Sequence, residues 1–296
     1  MSQALRDAID RYAKAHADAA GIADTPVAGM HLVRATSAGE LRHAVDHPLI
    51  CLVVQGAKHV TTGRQSLAFG AGDSMLLTAD ALTVSQIARA SPEAPYLSFA
   101  LHLDTAVIAD LSAQMEAVAA NEGATLWLQP TDAEAADTAL RLVNLLSRPA
   151  AVQVLQAQLV REMHYWLLAG RHGPAIRHLG HRDSRSQRIA RAVEILRRDY
   201  ASPLPVARLA AAAGMSLSTF HQHFRAVTSL SPLQFQKRLR LIEARRLMLA
   251  KDLKPSVAAH AVGYESVPQF TREYRRQFGE PPARETHRAK RASMEG

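Results

Sequence analysis

Residues 214–225 read GMSLSTFHQHFR, and residues 263–275 read GYESVPQFTREYR. The two stretches share a plan: a turn glycine, a hydrophobic residue, a serine near the helix start, and two aromatics four positions apart. The aromatics are Phe220 with Phe224 and Phe270 with Tyr274, a spacing that puts both rings of a pair on one side of a helix. The first copy is preceded by SPLPVARLAAAAG, an alanine-rich helical run that begins with Ser and Pro and stops at Gly214. A short helix, a glycine-containing turn and a polar second helix are the sequence form of a helix-turn-helix. Each copy leads into a similar loop, LSPLQF (230–235) and FGEPPARE (278–285). Between the copies FQKRLRLIEARRLML places Phe235, Leu239, Ile242 and Leu249 on one face, so a long helix is expected to join two helix-turn-helix units rigidly.

Charge divides the chain in the same place. Residues 186–296 hold 20 Lys+Arg against 9 Asp+Glu, a balance of +11, whereas residues 1–185 hold 15 against 18, a balance of −3; together they recover the chain's +8. A basic C-terminal third on a mildly acidic body is the electrostatic footprint of a nucleic-acid-binding module joined to something else. With 296 residues, two domains are the better expectation, and 48% hydrophobic with 21% charged residues excludes a disordered chain. The single cysteine, Cys51, excludes an internal disulfide framework and any multi-cysteine zinc site. No apolar run approaches the ~18 residues of a membrane span, and MSQALRDAIDRYAKAHADAA lacks a signal-peptide core, so a cytoplasmic protein without a membrane partner is expected.

The upstream sequence predicts an N-terminal helix over 1–25 and then, over 26–104, short strands at close spacing. LICLVVQG (49–56), SMLLTA (74–79), TVSQIAR (83–89) and PYLSFALHLD (95–104) are separated by turn material such as TTGRQ and FGAGD. In the last of them Leu97, Phe99, Leu101 and Leu103 alternate with Ser98, Ala100 and His102, the pattern of a half-buried strand in a small β-barrel or sandwich. Residues 105–180 read as helices. Within 132–169 Leu155, Leu159, Met163 and Trp166 form a stripe expected to pack on the barrel or a neighbouring helix, with a dimer interface as the sharper alternative. HRDSRSQR (181–188) holds no apolar residue and is the expected linker to a domain over 189–296.

Helical geometry sorts the first motif. At about 100° per residue, Leu217, Phe220 and Phe224 fall on one apolar face, while Ser218, His221, Gln222 and Arg225 fall on the other. His221 and His223 point ~200° apart, so the HQH triplet is no metal chelate. In the second copy the presented set is Pro268, Thr271, Arg272 and Arg275, with Val267 and Gln269 adjoining at the helix start. Proline is tolerated in that first turn, where its missing N–H has no intrahelical partner.

The double motif resembles the AraC/XylS family of transcriptional regulators, through the packing around Leu209 and Gly214, SLSTFHQHF, and GYESVPQFTREYRRQFG, over residues 188 to about 285. The chain departs from the family at Ser229, where glycine is common, and in PPARE, which replaces a frequent proline-x-x-tyrosine-arginine ending. PLICLVVQGAKHV, FGAGDSMLLTAD, ASPEAPYLSFALHLD and REMHYWLLAGRHGPAIRHL look like the N-terminal domain of one subgroup, a cupin-like barrel followed by helices. The resemblance implies an α+β multidomain protein: a cupin-like β-barrel with appended helices, then an all-α domain with two helix-turn-helix motifs joined by a long helix. It further implies double-stranded DNA as partner, read in the major groove over two adjacent turns. A small-molecule effector of unspecified kind, a second copy of the chain in a homodimer, and RNA polymerase complete the expected partners; no cofactor and no metal are expected.

Chemistry assigns the roles. Arg272 can donate two hydrogen bonds to guanine O6 and N7, and Gln222 can pair bidentately with adenine. His221, Ser218, Gln269 and Thr271 suit single polar contacts, and Val267 and Pro268 suit a thymine methyl. Arg225 and Arg275, a turn further along, suit phosphates. Three other function classes compete. A cupin-type metalloenzyme needs clustered His and carboxylate ligands, whereas His59 and His102 stand isolated in the sequence. A DNA-repair methyltransferase with an AraC-like half needs an activated cysteine, whereas Cys51 lies in the apolar LICLVV; a sensing role for it is the remaining alternative. A Ser/His/Asp hydrolase or a phosphate-cradling loop finds no matching motif.

Overall fold

The structure, a computed structural model, describes residues 2–39, 41–63, 65–115, 124–181 and 184–295, with the backbone alone for 292–295. The chain divides into two compact units, Met1–Gln187 and Arg188–Gly296.

In the first unit α1 (Gln3–His16) is capped by Ser2 and buries Leu5, Ala8, Ile9 and Ala13, the i, i+3/i+4 face of its amphipathic sequence. It ends well before residue 25, and Ile22–Asp24 is already a strand, β1. The strands that follow are β2 (Met30–Ala35), β3 (Arg42–Asp46), β4 (Leu49–Gln55), β5 (Ala57–Thr62), β6 (Gln65–Gly70), β7 (Asp73–Leu77), β8 (Ala81–Arg89) and β9 (Tyr96–His102). After α2 (Thr105–Gln114) comes β10 (Leu126–Pro130), inside the stretch expected to be helical. It pairs antiparallel with β7, Leu126 opposite Leu77, and five residues are too few for a legible period.

The expected barrel is two sheets. Strands β1-β2-β9-β4-β7-β10 make a six-stranded sheet and β3-β8-β5-β6 a four-stranded one, and among the described residues no ladder joins them into a closed barrel. The six-stranded sheet is covered on both faces. On one side Leu32, Ile50, Leu52, Leu76, Leu97, Phe99 and Leu101 pack with Leu5, Ile9, Leu142 and Met163 of the helices. On the other, Cys51, Val53, Met75, Leu77 and Tyr96 meet Val60, Phe69 and Ala81 of the smaller sheet. β9 is therefore not half-buried as its alternation predicts: Tyr96, Leu97, Ser98 and Phe99 are all buried. Small Ser98 and Ala100 let the smaller sheet approach, and smallness reads as polarity in a hydropathy pattern. Each large side chain fully buried here is worth roughly 1.5–3 kcal/mol.

The helical region 132–169 is two helices, α3 (Ala133–Leu145) and α4 (Pro149–Ala169), because Pro149 supplies an N1 start and interrupts the run. The stripe expected on α4 is shifted. Met163 is buried and Trp166 half-buried, but Leu155 is 45% exposed, and Val152, His164, Leu167 and Leu168 take the remaining buried positions. The unit ends with α5 (Gly173–Gly180). The expected linker shortens, since α6 (Arg185–Arg198) begins inside it; residues 182–183 lie outside the described residues.

The second unit continues with α7 (Val206–Ala212), α8 (Leu217–Thr228), α9 (Pro232–Ala250), α10 (Pro255–Ala261), α11 (Val267–Phe278) and α12 (Pro282–Glu295). α9 opens with a capping box between Ser231 and Gln234 and Pro232 at its first position. Its N-terminal half buries Phe235 and Leu239, its C-terminal half Leu241, Ala244 and Met248. The single face of Phe235, Leu239, Ile242 and Leu249 is corrected: Leu249 is 41% exposed. At about 100° per residue the two buried sets lie roughly 180° apart, so α9 serves two cores on opposite sides.

Candidate nucleic-acid interface

Each helix-turn-helix is built by the same local devices. In the first, α7 is followed by Ala213 as its C-cap, Gly214 takes φ +61°, and the Ser216 hydroxyl accepts from the Thr219 N–H to cap α8. Phe220 and Phe224 are fully buried, their centroids 5.3 Å apart, and Phe224 meets Phe235 of α9 edge-on at 5.7 Å. In the second, α10 leads to Gly263 at φ +86°, and Ser266 caps α11 by accepting from the Gln269 N–H. Phe270 and Tyr274 are fully buried, centroids 5.4 Å apart. Anchoring one face of each helix by two aromatics a turn apart leaves the opposite face to solvent.

On α8 Ser218, His221, Gln222 and Arg225 are all exposed, and so are Pro268, Arg272 and Arg275 on α11. Among the described residues no acidic side chain pairs with Arg225, Arg272 or Arg275. Thr271 is half-buried. Val267 and Gln269 turn partly inward: Val267 packs against the second core, and the Gln269 amide donates to Glu273 Oε1 at 3.2 Å. Burial alone would raise the Glu273 carboxyl, but donors from Gln269, Tyr264 and Lys237 outweigh it and hold the group below the usual carboxylate range. Leu217 departs from its expected packing role. It is 51% exposed at the first position of α8, where only the following turns meet the core.

The first unit holds a second polar group that the sequence leaves scattered. His31 on β2 and His102 on β9 have ring centroids 5.4 Å apart, and His47, just before β4, stands 5.7 Å from His102. His31 Nδ1 contacts Asp24 Oδ1 at 2.9 Å and His47 Nδ1 contacts Asp80 Oδ1 at 2.6 Å. His102 is thus not isolated, while His59 stays exposed on β5. Cross-strand register brings these residues together, and no spacing in the sequence announces it. Among the described residues no group of three His, Cys, Asp or Glu is arranged to hold a metal ion. Burial pushes the Cys51 thiol up, away from the thiolate that a reactive cysteine needs.

The pattern describing AraC-type transcriptional regulator N-termini matches residues 26–175, about half of the chain, and that of a helix-turn-helix domain matches residues 209–288. The chain belongs to the family of AraC-type transcriptional regulators. Among curated relatives, the HTH-type transcriptional activator RhaS of Pectobacterium carotovorum is 30% identical over 94 residues, covering 32% of this chain and 34% of RhaS. The HTH-type transcriptional regulator ExsA of Pseudomonas aeruginosa is 37% identical over 71 residues, 24% of this chain and 26% of its own. These matches span about a third or less of the relatives' length. ToxT from Vibrio cholerae, solved with an unsaturated fatty acid bound, aligns over 87% of this chain and 93% of its own with a TM-score of 0.58 at 12% identity, a likeness of fold.

Proposed function

We propose that the protein is a sequence-specific DNA-binding transcription regulator that sets α8 and α11 into two successive major-groove segments of one duplex. The observation that carries this reading is the pair of helices anchored by Phe220/Phe224 and Phe270/Tyr274, each presenting an exposed polar and cationic face from a strongly basic unit. Arg272 and Gln222 are the principal base readers, with Ser218, His221 and Thr271 making single polar contacts and Pro268 meeting a thymine methyl. Arg225 and Arg275 neutralise phosphates. Val267 and Gln269 contribute from the edge of the surface, because each already has an intramolecular contact.

The first unit receives the signal, a small molecule, and passes its state to the DNA-binding unit; activation of transcription as a dimer, with RNA polymerase as partner, in the cytoplasm and without catalytic turnover, is the rest of the proposal. Support comes from membership of the family and from a fold-level neighbour that holds a fatty acid. The row His31, His102 and His47 offers polar groups to such a ligand. Selection of bound duplexes from a random-sequence library by the full chain, followed by footprinting, tests the DNA reading. The expected result is an asymmetric site protected on one face over about two turns. Recovery of no preferred sequence at physiological salt overturns it.

A further inference from the structure

Arg240 carries a half-buried charge with an unusual set of partners. It sits on α9, and its guanidinium donates to four backbone carbonyls: Nε to Tyr200 O at 2.7 Å, Nη1 to Gly263 O at 2.9 Å, and Nη2 to Ala201 O and Ser202 O, each at 3.2 Å. One turn earlier Gln236, buried, donates to Tyr200 O at 3.0 Å and Ser202 O at 2.8 Å. Burial pulls the Arg240 guanidinium down from its ordinary value.

The carbonyls belong to two different places. Residues 200–202 follow α6 and lead into α7 of the first helix-turn-helix, whereas Gly263 is the turn of the second. The two segments also touch directly: a Cβ on Gly263 would lie 1.9 Å from Ala201 O, and Tyr200 packs against the second core. By the angles given for α9, Gln236 and Arg240 fall on the strip between the face that buries Phe235 and Leu239 and the face that buries Ala244 and Met248. A guanidinium is a planar fork of five fixed donors, so it holds several acceptors in one arrangement, which an ammonium on a flexible stem does not.

We propose that Arg240 is a positioning residue for two-part DNA recognition: by clamping the 200–202 segment to the Gly263 turn it fixes the phase between α8 and α11. The inference rests on the DNA-reading proposal only for its consequence, since the clamp itself is a property of the free protein. Helices locked in phase bind both parts of a site together and are penalised when the parts are moved out of register.

The test uses the full chain. Spin labels at A226C and R276C, both exposed and outside the proposed reading surface, report the α8–α11 distance, and far-UV circular dichroism checks folding of each variant. The wild-type background is expected to give one narrow distance distribution and Arg240→Ala a broad one. Arg240→Lys, which keeps the charge without the fork, should fall between, and it serves where the alanine variant does not fold. On the duplex selected by the wild type, insertion of five base pairs between the two parts should weaken the wild type by about 100-fold and Arg240→Ala by less than about 10-fold. A distribution for both variants as narrow as the wild type's overturns the clamp without reference to DNA. An equal penalty for the insertion in all three proteins, with the distance broadened, overturns the link to recognition. If the wild type selects no sequence, the regulator reading fails while the distance measurement still decides the clamp.

Discussion

Ser229 ends α8 with φ +63° and ψ +7°, in the left-handed region, while Gly279 ends α11 with φ +88° and ψ −24°. The two residues do the same job: each donates its N–H one turn back, to Arg225 O and to Arg275 O. A residue with a Cβ pays about 1–2 kcal/mol in that region, because the Cβ crowds the following carbonyl. Ser229→Gly relieves this. The greater freedom of glycine in the unfolded chain takes back about 0.5–1 kcal/mol. Ser229 is exposed, so little packing is lost, and a net gain of about 0.5–1 kcal/mol is expected. Calorimetry of the full chain should show the transition of the C-terminal unit raised by about 3–6 °C. Gly279→Ser should lower it by a similar amount, since a Cβ there meets nothing within 4 Å and the cost is the dihedral alone. The reasoning is refuted if Ser229→Gly leaves the transition at or below the wild-type value, or if Ser229→Ala, which keeps the Cβ, raises it equally.

Arg272→Ala should cost roughly 1–3 kcal/mol of binding and relax preference at one base position, whereas Arg225→Ala should weaken all sequences alike and flatten the salt slope; titrations of both on selected and scrambled duplexes distinguish the roles. His172 is buried at the start of α5, its Nε2 2.7 Å from Ser74 Oγ, and burial pulls its imidazolium down to about 4. Below its ordinary value of ~6.5 the unfolded chain takes up a proton that the native state refuses, so stability present at neutral pH is lost as pH falls, by about 2 kcal/mol at pH 5. Urea unfolding of the N-terminal unit at pH 7 and 5 should show that loss, and His172→Asn should reduce it. Glu285 is buried between Arg245 Nε at 2.8 Å and the Tyr274 hydroxyl. Glu285→Ala strands a cation and a hydroxyl and should destabilise the C-terminal unit by about 3 kcal/mol, whereas a change under about 1 kcal/mol in denaturant unfolding would show that water replaces the carboxylate.

Much of the DNA-binding unit was legible in the chain because its signals are local. Capping serines, turn glycines and aromatics four apart act within one helix, so Ser216, Gly214 and the Phe220/Phe224 pair can be placed without knowing what they pack on. Leu217 was misplaced because helical angle alone does not say where the core ends along the helix axis. α9 misled for a related reason: two cores on opposite sides spread its apolar residues around the cylinder, and no single stripe describes it.

Sequence by itself determined the duplicated motif, its basic setting and the presence of a strand-rich first half, because periodicity, capping and charge are properties of neighbouring residues. Tertiary structure alone decided that the strands form two sheets, that β9 is buried on both faces, and that His31, His47 and His102 stand together. Strand register and sheet stacking join residues distant in sequence, and no local pattern encodes such a pairing. The meeting of Arg240 with carbonyls 38–40 positions before it and 23 after it is of the same kind: a charged residue in a helix tells nothing of its partners until the chain has folded around it.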